Sequence, residues 1–468
     1  MEWDKLENSK RMITELKELL GQNNVLTETE DILPYAYDGT PALWQMPRAV
    51  VFPQTPEQIS AILKHANEKN IPIVTRGNGT GLSGGSLPLM TGDSIVLCTT
   101  QMNRLLELDS QNLTILVEAG MTTQDIFDRA SKAGLFYPPD PGSMKTSSIG
   151  GNIAENSGGL RGLKYGVTRN YVMGLEVVLP SGEIVWTGNK CVKDVAGFSL
   201  KDLFIGSEGL LGVITKALLR LVPPPQARKT MLAVFKKMDA AAQTVSDIIA
   251  ASIIPCTLEF LDKTTIACVE SYARIGLPLD CEAILLMETD GHSVVVSEEA
   301  DEMCKIARKN GCVDVRIAAN STEAKQLTEA RRVSLSALAR VSPTTILEDI
   351  TVPRSELANM VRFIQRVSDK YRLKVGIFGH FGDGNLHPTF LTDEKNEGEM
   401  KKVEMAFDEI FQETLRVGGT VTGEHGVGMA KKKVLPGALG AEAIQVMRFL
   451  KKSLDPKGIL NPGKMFDL

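Results

Sequence analysis

The 468-residue sequence has little histidine, few aromatics and no strong charge of either sign. Only five histidines occur, and aromatic residues make up 5% of the chain. The formal net charge is -5. No basic stripe is left to neutralise phosphates, which excludes a general nucleic-acid binder. The seven cysteines lie at 98, 191, 256, 268, 281, 304 and 312, with no CxxC among them. That pattern is neither a disulfide framework nor an iron–sulfur signature, and it suits a reducing compartment. No uncharged apolar run approaches the roughly 20 residues of a membrane span. The first residues, MEWDKLENSKRM, lack an apolar secretory core. A cytoplasmic location and no transmembrane segment are therefore expected.

What is present is glycine, gathered in loops, and short apolar strands alternating with helices. AVVFP, PEQISAILKHANEKN and IPIVTR read as strand, helix and strand. The three prolines after Val222 mark a boundary. The expected organisation is α+β, with one domain over 1–224, a second α/β domain over 225–415 and a segment 416–468 that folds back on the first. Arg76 to Gly85 reads RGNGTGLSGG. It contains a literal GxGxxG, but Pro88 and Gly92 follow at once and a strand resumes, where a Rossmann turn must open a long helix. So many backbone amides can still approach an anionic guest closely. A second stretch, PPDPGSMKTSSIGGNIAENSGG, offers small residues and many donors, as suits a segment lying along an extended polar ligand. A third, FIGSEGLLGVIT, leads into a strand.

Three of the five histidines lie in HFGDGNLHP (380–388) and TGEHGVG (422–428). Asp383-Gly384 is a favoured two-residue hairpin turn. That register sets His380 directly opposite His387 on one face, as paired metal ligands require. A nearby Glu-His completes a set of two histidines and a carboxylate, common for a catalytic divalent metal. The residues alone do not divide the labour between Glu424 and His425. The run Lys431 to Lys433 reads as solvated surface, or as a patch near an anionic ligand or acidic partner; Arg332 reads as a helix-surface charge, and EDITVP (348–353) as a strand joining the second domain to the site, with no catalytic role claimed for it. Lys193 and Lys201 read as solvated or structural.

These motifs together resemble the FAD-binding 2-hydroxy-acid dehydrogenases, the family of the glycolate oxidase flavoprotein subunit and of D-lactate and D-2-hydroxyglutarate dehydrogenases. The resemblance implies a vanillyl-alcohol-oxidase-type FAD domain with a substrate-binding cap. It implies that Pro53, Gln54, Thr55, Arg76, Gly77, Asn78, Gly79, Thr80, Gly81, Ser83 and Gly84 hold the FAD pyrophosphate end. Pro141, Gly142, Ser143, Ser148, Gly151, Asn152, Asn156 and Ser157 would line the isoalloxazine and ribityl side. Glu208, Gly209, Gly212 and Ile214 would line the adenine side, with Asn461 returning from the tail. No histidine stands in the first loop, so FAD is expected to be non-covalent. By the same resemblance His380, His387 and Glu424 are ligands of one divalent metal (zinc, manganese or iron). His425 is the catalytic base, and Arg331 binds substrate together with the two histidines. Thr328 departs from the tryptophan many relatives carry three residues before that arginine, which leaves pocket size and substrate open. The implied partners are a small 2-hydroxy acid, D-lactate first, and a separate acceptor such as electron-transfer flavoprotein or an iron–sulfur subunit. A metal-dependent hydrolase is the reading from a different class, and a flavin-binding subunit with a vestigial site is a third.

Overall fold

The computed structural model describes residues 2–88 and 93–468, so Gly92 lies outside the described residues. Three sheets follow one another along the chain. The first contains β1 (Val25–Leu26), β2 (Ala49–Val51), β3 (Ile73–Arg76) and β4 (Ile95–Cys98), in the order β1-β2-β4-β3. The helix Pro56–Lys69 crosses between β2 and β3; Thr55 caps it and Asn70 ends it in the left-handed region. Its apolar stripe, Ile59, Ile62, Leu63 and Ala66, packs on Val51, Ile73, Ile95 and Leu97. Among the described residues no helix follows the glycine run after β3, and the chain goes on to β4, as the reading against a Rossmann turn requires.

The second sheet has five strands: β5 (Leu105–Asp109), β6 (Thr114–Glu118), β7 (Val172–Val178), β8 (Ile184–Gly188) and β9 (Val213–Arg220), ordered β5-β6-β9-β7-β8. The glycine-rich stretch 138–166 runs between β6 and β7 and contains the helix Ile149–Glu155, capped by Ser148. Residues 222–226 then lead into the third sheet.

That sheet comprises β10 (Ala227–Phe235), β11 (Thr257–Asp262), β12 (Ala283–Gly291), β13 (Cys312–Ile317), β14 (Thr344–Leu347), β15 (Ile350–Thr351), β16 (Lys374–His380) and β17 (Asn385–Thr392). The order is β13-β10-β12-β11-β16-β17-β14, with β15 also on β17. It is buried on both faces, and β10 shows how. Met231, Ala233 and Phe235 enter one core, while Leu232 and Val234 enter another. Glu259, Phe378, His380, His387 and Leu391 share the parity of the second core, so polar groups are planted on one apolar face.

The hairpin register differs from the expected one. His380 pairs with Asn385, and His387 with Phe378. The connection is four residues long, Phe381 to Gly384, rather than two. Phe381 is the reason: it turns into the opposite core and stacks on Phe260 at 4.0 Å. The slip is by two positions, so both histidines keep the same face as diagonal neighbours, with ring centroids 5.4 Å apart. Past the helix Ala441–Leu454 the chain returns to the first sheet, where Leu460 pairs with Ile73.

Candidate active site

A single cleft collects side chains from all three sheets. Its wall includes Arg76 to Leu82, Pro141 to Ser143, Ser148, Gly151, Asn152, Ser157, Glu208, Gly209, Gly212, Ile214 and Asn461. At one end stand Arg331, Arg332, Leu335, Ser336, Leu347, Phe378, His380, His387, Glu424 and His425.

Glu424 is the hub of that end. Its Oε1 lies 3.3 Å from Nε2 of His380, 3.3 Å from Nε2 of His387 and 3.6 Å from Nε2 of His425. The ligand atoms of His380, His387 and Glu424 all lie within 4.8 Å of one another. Gly158 makes room for it, since a Cβ there would stand 2.6 Å from Glu424 Oε2. Burial alone would raise the Glu424 pKa, but His380 and its other imidazole neighbours hold it well below the usual carboxylate range. The two histidines facing Glu424 are driven apart. Burial lowers His387 to about 4. Burial also disfavours charge on His380, yet the Glu259 and Glu424 carboxylates push it well above the usual value.

Glu259, on the neighbouring strand β11, reaches two partners at once. Its Oε1 lies 2.6 Å from His380 Nδ1, and its Oε2 accepts from Arg331 Nε at 2.5 Å. This fixes the imidazole with Nε2 toward Glu424 and holds the guanidinium over the Phe378 ring, 4.6 Å from its centroid.

The loop carrying Glu424 and His425 is gripped from two sides. Asp349 Oδ2 accepts from the Thr422 hydroxyl at 2.7 Å and from the backbone N–H groups of Gly423, Glu424 and His425 at 2.8, 2.9 and 3.0 Å. Its Oδ1 accepts from Asn385 Nδ2 at 2.5 Å and sits 3.9 Å from His387 Nδ1. From the other side, Glu208 accepts the N–H groups of Val427 and Gly428, both at 2.7 Å. The imidazole of His425 is stacked on His387, with centroids 5.1 Å apart and planes at 9°.

Residues 47–188 match the family described as FAD binding domain, and residues 224–465 match FAD linked oxidases, C-terminal domain. The chain is 53% identical to the glycolate oxidase subunit GlcD of Bacillus subtilis, over 97% of this chain and 96% of that one. It is 38% identical to a D-lactate dehydrogenase of Archaeoglobus fulgidus, over 92% and 95%. The chain belongs to the FAD-linked oxidases. Its fold is also that of p-cresol methylhydroxylase (TM-score 0.83, 21% identity, 98% of this chain and 97% of that one). The α+β architecture of the vanillyl-alcohol-oxidase type is thereby shown.

In this FAD-linked oxidase the cleft fits an extended dinucleotide. A Cβ added at Gly81 or Gly142 would meet nothing within 4 Å, so the backbone there fronts open space that a guest can fill. The cleft does not reach six of the expected cofactor residues. Pro53, Gln54 and Thr55 shape the start of the helix Pro56–Lys69, where the Gln54 N–H donates to Gln58 and Thr55 caps. Ser83 and Gly84 sit behind the wall, where the Ser83 carbonyl accepts from Met429 and Ala430. Asn156 ends the helix Ile149–Glu155 with φ 55 and accepts from the Arg169 N–H. The set His380, His387 and Glu424 also fits a metal: the three ligand atoms converge, and Glu259 holds the other nitrogen of His380 at 2.6 Å, while Asp349 stands 3.9 Å from that of His387.

Two side chains correct the sequence reading, and a third adds to it. Arg332 is no free surface charge; it lines the cleft and pairs with Asp140 at 2.7 and 2.8 Å. Lys431 is 2% exposed, and its Nζ donates to the carbonyls of Asp349 and Val421. Within EDITVP, Asp349 holds the loop that carries Glu424 and His425. Glu259 and Asp349 escaped sequence reasoning, because a carboxylate 121 positions from its histidine carries no local signal.

Proposed function

We propose that this chain oxidises a small D-2-hydroxy acid to the 2-oxo acid, using non-covalent FAD and one divalent metal. D-lactate is the first candidate and glycolate the second. The observation that carries this reading is the meeting of Arg331, His380, His387, Glu424 and His425 at one end of a glycine-lined cleft. The relatives named for glycolate oxidation and D-lactate dehydrogenation support it.

Each residue then has a task. Arg331, with Nε committed to Glu259, offers its Nη edge to the substrate carboxylate. His380, His387 and Glu424 would hold zinc, manganese or iron, which would supply Lewis-acid stabilisation of negative charge on the hydroxyl oxygen. His425 removes the hydroxyl proton. Bound FAD supplies the acceptor for the α-hydrogen, taken as hydride. The stacking of His425 on His387 fixes the plane of the base relative to the ligand set. A separate acceptor, an electron-transfer flavoprotein or an iron–sulfur subunit, would take the electrons onward. No helix among the described residues is long and apolar enough to cross a membrane, which is compatible with a cytoplasmic enzyme and a soluble acceptor.

The test is an anaerobic titration of the purified flavoprotein with D-lactate, L-lactate and glycolate, followed in the visible flavin band. Bleaching by D-lactate or glycolate and not by L-lactate is the expected result. A flavin that none of them reduces would overturn the proposal.

A further inference from the structure

The five-stranded sheet has one apolar face and one charged face. Ile115, Val117, Leu175, Val177, Ala217 and Leu219 are buried on the first. On the second, Glu118 stands opposite Lys216, Lys216 opposite Glu176, and Glu176 opposite Trp186 on the last strand, β8. Glu107 of β5, paired with Leu116, shares that face at the other end of the sheet.

The chain leaves β8 at Gly188 and is strapped to this charged face as the loop 189–200. Lys190 ties it down, with its Nζ 2.6 Å from Glu107 and 3.0 Å from Asp109. The Asn189 amide donates to Asp194 at 2.6 Å, and the Asn189 oxygen accepts from the Cys191 N–H. Asp194 also accepts from the Ala196 N–H. The polar side chains thus hold the loop in shape, and the apolar ones are left outside. Val192, Val195 and Phe198 are 94, 97 and 93% exposed. Leu200, with Ile184 and Trp186 on the same side of β8, is a further 41 to 44% exposed apolar rim.

Charge and area together single out the occupant. Lys190 is spent on Glu107 and Asp109, Lys216 on Glu176 and Lys201 on Asp202. Of the two lysines in the loop, Lys193 alone has no ion pair among the described residues. A transient electron-transfer partner is steered by complementary charge over a small area, and this face has little charge left to offer. The six apolar residues expose on the order of 700 Å², above the largest apolar patch of a typical monomer and near the roughly 800 Å² that one side of a standard interface buries. An apolar surface with its charges satisfied internally has the composition of a permanent interface between like subunits. A second copy brings the same neutral surface, and a two-fold axis lets each copy cover the other.

We propose that the loop 189–200 and the exposed side of β8 form a dimer interface, and that its occupant is a second copy of this chain. This holds whatever the substrate is.

The test is sedimentation velocity of the flavin-loaded protein at about 1–50 µM, where a dimer of this kind shows its concentration dependence. The wild type should sediment with twice the mass of the chain. Val195→Asp combined with Phe198→Asp should weaken association at least about 100-fold and give a monomer with an unchanged flavin spectrum and circular dichroism. Both side chains are almost free of contacts in the single chain, so the fold does not depend on them. Should that variant nonetheless fail to fold, Phe198→Ser alone must raise the dissociation constant at least about tenfold. Val446→Asp with Phe449→Asp, on the exposed side of the helix Ala441–Leu454, should leave the dimer intact, since those residues are also exposed but lie outside the proposed interface. A wild type that stays monomeric at the highest concentration would overturn the proposal and leave the face to a different chain. A dimer that survives the loop substitutions, or that the control substitutions dissolve equally, would overturn it as well.

Discussion

Asp349 lies directly beneath His425, and its Oδ2 accepts the backbone N–H of that histidine at 3.0 Å. The same oxygen takes the N–H groups of Gly423 and Glu424 and the Thr422 hydroxyl, so one buried carboxylate shapes the whole turn. Burial works against its charge, but His425, Lys431 and His387 hold its pKa far below the usual carboxylate range. An anion in a nest of N–H groups is a stable arrangement, and an amide in its place turns a donor toward donors. Asp349→Asn should weaken metal binding about 10–100-fold while leaving the flavin spectrum in place. Metal content after dialysis against graded chelator checks this; full metal retention would count against the role.

His425 touches Glu424 only at 3.6 Å and stacks on His387. Removing it should spare both the ligand set and the cofactor wall. His425→Ala is expected to keep FAD and metal and to lose about 10²–10⁴-fold in the rate of flavin reduction by substrate. Stopped-flow reduction with parallel metal analysis reads both quantities. A near-normal rate would refute the assignment of the base.

Glu259 connects the proposed metal ligand His380 to the proposed substrate anchor Arg331, since one carboxylate serves both. Glu259→Gln should therefore raise the metal dissociation constant and the substrate KM together, each by about tenfold or more. Chelator treatment of the wild-type protein should abolish turnover without bleaching or releasing the flavin, and added metal should restore it. Turnover that survives complete removal of metal would sink the ligand assignment.

Glu155 ends the helix that carries Asn152, and its Oε2 is buried without a hydrogen-bond partner in the described structure. Burial first, then the Glu208 charge, push its pKa well above the usual carboxylate value. The folded protein thus binds this proton more tightly than the unfolded chain does. Its contribution to stability is complete below the unfolded pKa of roughly 4.3 and is lost as pH rises through the folded value. Glu155→Gln, neutral at every pH, should match the wild type near pH 4 and gain stability over it as pH rises to 8, by about 1–3 kcal/mol. Paired denaturant titrations at the two pH values measure the difference; a gap independent of pH would exclude the buried-acid account.

The parts of this site that could be read from sequence are those where the backbone itself meets a ligand. Glycine runs at 77–85 and 150–159 declare themselves because a side chain there would enter the open cleft, as at Gly81, or strike a packed neighbour, as at Gly77 against Ser148, Gly150 against Ala119 and Gly158 against Glu424. His380, His387 and Glu424 stood out because so few histidines exist and three fall in two short motifs. What stayed hidden was the packing that aims them. The hairpin could not be registered correctly, since nothing local tells that Phe381 will leave the turn to stack on Phe260. Arg332 and Lys431 looked like helix and loop surface, and only the fold shows that Asp140 and the carbonyls of Asp349 and Val421 await them. Charge pairing across 192 positions is a tertiary fact.

The return of the tail to the first sheet has a consequence for how the protein is made. Asn461 accepts from the Thr75 N–H and donates to the Glu208 carbonyl, and Leu460 is paired with Ile73 beside the glycine run. Some 386 positions separate Thr75 from that clasp. At ribosomal rates of about 5–20 residues per second, β3 waits roughly 20 to 80 s for its edge to be covered. During that interval a strand edge stands open in the nascent chain, exposed to chaperones and to mispairing alike. The cofactor wall is closed last, so loading of the cofactor belongs to the end of biosynthesis. A chain cut short before residue 459 should emerge as a sheet with an open side and no grip on flavin.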